Sequence, residues 1–79
     1  MLTVSINDED VTLPEGATVV DAVAHTTGRE LSPDGTPADG GRLGVAVAIS
    51  AAVVPRSAWA SRRLSHGETL EIVTAVQGG

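Results

Sequence analysis

The sequence predicts an α+β domain in which a mixed sheet of about five strands carries one main helix across it. Three observations lead there. Apolar and polar residues alternate near both ends of the chain, as in half-buried strands. One stretch around residue 20 has helical apolar spacing between a capping threonine and a glycine. A continuous apolar run at residues 45–49 lies between them and is long enough only for a strand. With 79 residues, the chain is expected to be one domain spanning 1–79, a size that buries only about 60% of its unfolded surface.

Leu2, Val4 and Ile6 alternate with Thr3, Ser5 and Asn7 and give a first strand one apolar face. Asn7-Asp8-Glu9-Asp10 predicts a turn, because Asx side chains bond nearby backbone and tolerate left-handed geometry. Val11, Thr12 and Leu13 return as a second strand, ended by Pro14-Glu15-Gly16. Thr18 is placed to cap a helix running to about Thr27, and Asp21 three residues on nearly completes a capping box. Val19, Val20, Val23 and Ala24 form its apolar stripe, and Gly28 suits the residue after its end. Residues 30–42 hold Ser32-Pro33-Asp34-Gly35, Pro37 and Gly40-Gly41; turn chemistry without an apolar period predicts a long flexible loop, read as a tolerated insertion. Val45, Ala46, Val47, Ala48 and Ile49 are apolar throughout, as expected of a central strand buried on both sides. Pro55 confines Val53 and Val54 to an edge or strand end. Ser57 is placed to cap a short turn carrying Trp59, a packing residue for a core poor in large side chains. Residues 64–69 turn into a last strand over residues 70–76. In that strand Leu70, Ile72, Thr74 and Val76 share one face and Glu71, Val73 and Ala75 the other.

Composition narrows the function. Eleven valines and eleven alanines, with Trp59 the only aromatic, leave little room for a ligand cavity, so no bound cofactor is expected. Without cysteine there is no disulfide frame, thiolate metal site or cysteine nucleophile. Net charge of −5 argues against nucleic acid, whose phosphates attract basic surfaces, and favours a protein partner. The apolar stretch 43–54 is shorter than the roughly 20 residues that span a bilayer, so no membrane segment is expected. Met1-Leu2-Thr3-Val4 lacks a basic segment ahead of an apolar one, which predicts a cytoplasmic protein. All five basic residues are arginine, so no lysine amine can capture an activated carboxylate of this chain.

The chain ends in Gln77, Gly78 and Gly79, a tail expected to project flexibly beyond the last strand. Glycine passes its main chain through narrow channels, and its carbonyl is unhindered. Those properties suit a carboxylate that another protein's active site must activate. A frayed, inert end is the alternative.

The element order resembles the ubiquitin-like β-grasp fold, and the second half resembles more. Val45-Ala46-Val47-Ala48-Ile49, Val54-Pro55-Arg56-Ser57-Ala58-Trp59 and Gly67-Glu68-Thr69-Leu70-Glu71-Ile72, running to Gly78-Gly79, are similar to the ThiS family of sulfur carriers in thiamine biosynthesis. Residues 30–42 are longer than the family usually has. The resemblance implies that an adenylating, E1-like enzyme uses ATP to convert the Gly79 carboxylate to an acyl-adenylate. Sulfur then displaces AMP to leave a thiocarboxylate, and thiazole synthase takes the sulfur. The chain is then a co-substrate and not an enzyme. A carrier serving molybdopterin or cysteine synthesis, or a ubiquitin-like interaction module with an inert tail, are the other readings.

No other site competes. His25 and His66 have no partners at ligand spacing, so no metal is expected, and no serine stands in a catalytic arrangement, so no catalytic residue is assigned. Arg62-Arg63 reads as a solvated pair. Val73 and Ala75 are apolar on the face expected to meet water and, with Arg56, are the candidates for partner contact.

Overall fold

Alternation in the first thirteen residues builds a hairpin. In the computed structural model, which describes residues 1–28, 30–32 and 44–74, β1 (Leu2–Ile6) pairs antiparallel with β2 (Glu9–Leu13). The register sets Leu2 opposite Leu13 and Val4 opposite Val11, so all four point to the buried face. The connection is tighter than the four-residue turn expected: only Asn7 and Asp8 form it, with φ of 52° and 68°. Two successive left-handed residues match the twist of a hairpin, and Glu9 and Asp10 are thereby free to join β2.

Helix α1 (Val19–Thr27) follows. Its first turn is closed by Asp21, whose carboxylate accepts the Thr18 backbone N–H at 2.8 Å, and it stops at Gly28, left-handed at φ 70°, whose N–H returns to Ala24 O at 2.9 Å. The buried stripe is Val19, Ala22 and Val23; Val20 and Ala24 are only half-buried, so Ala22 takes the place expected of Ala24. A residue three beyond Val19 stays on its face, whereas one five beyond rotates off it.

Strand β3 (Val45–Ile49), β4 (Ala52–Val54), a 3₁₀ turn at Arg56–Ala58 and β5 (Thr69–Thr74) complete the order. The sheet reads β2-β1-β5-β3-β4, with β5 parallel to β1 and antiparallel to β3. This is the ubiquitin-like β-grasp arrangement, and it corrects two expectations. The central strand is β5, not β3. Nor is β3 buried on both sides: Val47 and Ile49 are buried, but Ala46 is exposed and Ala48 half-buried, because a single helix covers a single face.

Trp59 is 1% exposed and the largest side chain in the core, beside Leu70, Val4, Val19, Val23 and Val47. Its indole N–H donates to Val54 O at 3.0 Å, which removes the penalty for burying a polar group. The Arg56 guanidinium lies 5.1 Å over the same ring. The cap of this turn is Pro55, extended at φ −64° and ψ 148°, and not Ser57, which lies inside it. Ala17 and Val19 are tied to Leu64 and Arg62 by backbone bonds of 2.9 and 3.1 Å, so the start of the helix is fastened to the segment that leads into β5. The expected loop lies outside the described residues over 33–42, as does Arg29.

The β3–β4 turn repeats the geometry of the first with poorer residues, Ser50 at φ 51° and Ala51 at φ 68°. A left-handed alanine costs about 1–2 kcal/mol because its Cβ crowds the following carbonyl. Ala51→Gly is therefore expected to stabilise the fold by about 1 kcal/mol, raising Tm by about 4–8 °C in a domain of this size, measured by thermal unfolding.

Candidate functional site

The strand that precedes the Gly-Gly end of the sequence lies in the middle of the sheet. Leu70 and Ile72 of β5 are 0% and 4% exposed and lie beneath the helix, while Val73 is 60% exposed on the opposite face. That alternation is the one the sequence predicts, and it fixes the strand in register with β3 from Ile49 opposite Leu70 to Val45 opposite Thr74. Ala75, Gln77, Gly78 and Gly79 lie outside the described residues.

Around Val73 the outer face is mainly apolar, with Glu71 as a charged neighbour. Val73 stands directly opposite Ala46, and Ala48 directly opposite Val53, which is 76% exposed. Side chains opposite one another share a face, so Val73, Ala46, Ala48 and Val53 form one mainly apolar patch over β5, β3 and β4, with the exposed Glu71 beside them opposite Ala48. The β1 and β2 half of the same face presents Thr3, Ser5, Asp10 and Thr12 instead. The apolar half is the half toward which β5 ends. No sequence pattern marks Val53 as a surface residue, because only the β3–β4 register turns it outward.

On the β1 side, β5 is held by an arrangement with no obvious sequence signal. The Asn7 carboxamide donates to Ile72 O and accepts from Ile72 N–H, both at 2.9 Å. Asn7 was legible only as a turn residue.

Arg56, His66 and His25 are the remaining candidates. Arg56 is half-buried against Trp59. His66 Nδ1 accepts the Thr3 N–H at 3.0 Å, and His25 is exposed on the last turn of α1. Among the described residues no three His, Asp or Glu side chains are grouped as a metal would require, and no helix is long and apolar enough to cross a membrane. Two shallow depressions flank Asn7, of about 270 Å³ beside His25 and Thr26 and about 210 Å³ beside Glu71 and Val73. Both fall below the roughly 300–1,000 Å³ of small-molecule pockets.

A family model for the ThiS family matches residues 2–79. The chain belongs to the ThiS family. The solved structure of a thiamine biosynthesis protein (ThiS) from Geobacter metallireducens superposes with a TM-score of 0.66 at 18% identity, covering 99% of this chain and 100% of that one. At that identity the likeness speaks for the fold. No curated protein sequence matches the chain. ThiS proteins are small sulfur carriers of thiamine biosynthesis rather than catalysts.

The ThiS-like Gly67-Glu68 element acquires a physical reason. Glu68 accepts the Ser65 N–H at 2.7 Å and pairs with Arg62, while Arg62 also donates to Arg63 O. Gly67, left-handed at φ 86°, donates to Thr3 O at 2.7 Å. Arg62 is thus half of a fastening at the mouth of β5, not one of a solvated pair. Partial burial works to raise the Glu68 pKa, but the bonds from Arg62 and Ser65, with the arginine charge, outweigh it and hold the carboxyl below the ordinary range. A group whose folded pKa is depressed stabilises the fold above its unfolded pKa and loses that contribution as pH falls through the folded one. The Tm advantage of the native chain over Glu68→Gln should accordingly be steady above about pH 5 and shrink once pH drops below about 4, measured by thermal unfolding across that range.

Proposed function

We propose that this chain carries sulfur on the Gly79 carboxylate for formation of the thiazole of thiamine. The observation that supports it most is the family match over residues 2–79, which runs through the Gly78-Gly79 end that such chemistry needs. A carboxylate is a poor electrophile. An adenylating, E1-like partner joins it to the AMP of ATP with release of pyrophosphate, and the mixed anhydride is a good electrophile. A sulfur nucleophile then attacks the Gly79 carbonyl carbon, AMP departs with its bonding electrons, and a thiocarboxylate remains for thiazole synthase. The carrier is consumed and regenerated as a co-substrate, with no cofactor of its own, in the cytoplasm where ATP is available. Gly78 and Gly79, which lack side chains, lend the slimness with which the terminus enters a partner's active site, and Gln77 is the other residue of that tail.

Incubation with the adenylating partner, ATP and a sulfur source should raise the intact mass by the oxygen-to-sulfur difference, with the change mapping to Gly79. No gain, or a gain elsewhere, overturns the reading. It would return the chain to the class of interaction modules with an inert tail.

The outer apolar patch is the surface by which the carrier meets the adenylating enzyme. Isolated exposed apolar residues are ordinary, but here Val73 and Val53 are joined by Ala46 and Ala48 into contiguous surface, which on small soluble proteins marks interaction sites. Ala75 continues the Val73 face in the sequence pattern, and the half-buried Arg56 is the candidate for a directed polar contact. Val73→Glu places a charge in that patch while leaving the buried face untouched. The variant should fold normally by circular dichroism and show KM for adenylation raised about tenfold, one to two kcal/mol being usual for an interface residue that matters. An unchanged KM in a folded variant removes the patch from the interface.

A further inference from the structure

A parallel pair of strands bonds in a repeating frame. Ser5 N–H reaches Glu68 O at 2.8 Å and Asn7 N–H reaches Leu70 O at 3.0 Å. In a continuing β1, the backbone carbonyl of residue 7 would next accept Ile72 N–H, and the backbone N–H of residue 9 would donate to Ile72 O. Neither happens, because Asn7 and Asp8 are left-handed and turn the chain away into β2. The Asn7 side chain supplies both missing partners, Oδ1 for Ile72 N–H and Nδ2 for Ile72 O. A carboxamide can do this because it carries a donor and an acceptor in the geometry of a peptide unit. Few other residues combine both tasks. Glycine makes the turn but has no amide, aspartate tolerates the turn but has no donor for Ile72 O, and glutamine carries the amide one carbon too far.

We propose that Asn7 is a positioning residue for the carrier tail, extending the β1 grip on β5 to Ile72 so that the strand leaves the sheet at a fixed point and angle. The proposal rests on the carrier reading above. Ile72 is the last β5 residue gripped from the β1 side by any described group, and six residues separate it from Gly79. Past Ile72 the strand is held from the β3 side alone, as far as Thr74 opposite Val45. Losing the Asn7 bonds therefore leaves the end of β5 paired on one edge only and lowers the fraction of time the terminal carboxylate spends in attack geometry. It leaves the apolar docking patch on β3, β4 and β5 in place.

The test compares Asn7→Gly and Asn7→Asp with the native chain. Glycine suits a left-handed turn, so Asn7→Gly should fold with little change in Tm. Amide hydrogen exchange should quicken at Ile72 by about tenfold or more while Val4 keeps its native protection. Adenylation by the partner enzyme should lose about tenfold in kcat with KM held within about twofold, because positioning and not docking is impaired. Asn7→Asp, which keeps the acceptor and loses the donor, should fall between. Native protection at Ile72 in Asn7→Gly overturns the clamp. Faster exchange at Ile72 with kcat unchanged overturns its role in positioning, as does exchange quickened uniformly at Ile72 and Val4, which makes Asn7 a residue of general stability. A native chain that acquires no AMP overturns the carrier reading itself, and tail positioning with it.

Discussion

The last strand lies between the first and the third, and every other feature of the molecule follows from that placement. β5 bonds to β1 on one side and β3 on the other, so residues near the two ends of the chain must find one another before the sheet is complete. Closing so large a loop is entropically unfavourable but only weakly dependent on its length. What offsets it is burial: Leu70 and Ile72 join Val4, Val47 and Trp59 under the helix, each worth about 1.5–3 kcal/mol when fully buried. The chain thus places its most secure strand immediately before residues 75–79.

A sheet covered by one helix has one face to spare. This chain resolves it unevenly: the β1–β2 half of the open face is polar, and the β3–β4–β5 half gathers Ala46, Ala48, Val53 and Val73 with Glu71 beside them. The continuous apolar run of β3 results from that division. Val47 and Ile49 serve the core, while Ala46 and Ala48 serve the open patch with Val53 and Val73. Small side chains on β3 keep the patch shallow between two valines, a shape that admits a flat partner surface rather than a small ligand.

Fastenings at both ends of β5 keep it from sliding. At the start, Glu68 draws in Ser65 and Arg62, Gly67 bonds to Thr3, and the 60s segment binds the helix start through Leu64 and Arg62. Toward the end, Asn7 holds Ile72. These are polar contacts at the rims of an apolar core, where they set register and direction while the buried valines and leucines set stability. The left-handed Ser50-Ala51 turn shows the opposite compromise, a geometry the β3–β4 register demands of residues that do not favour it.

The sequence by itself determined what depends on neighbours along the chain. Period-two alternation placed β1, β2 and β5 and told their inner from outer faces; Thr18, Asp21 and Gly28 bounded the helix; and the motifs around Trp59 and Gly67-Glu68 marked the family. Each rests on backbone geometry or capping within a few residues. Only the tertiary structure decided what depends on partners far away in sequence. A wholly apolar strand reads as buried on both sides until the number of covering helices is known, so β3 was mistaken for the central strand. Val53 becomes part of a patch only through its register with Ala48. Asn7 reads as a turn former, and its grip on Ile72 arises because a strand 65 residues later in the chain brings a backbone peptide to its amide, a meeting that no local pattern encodes.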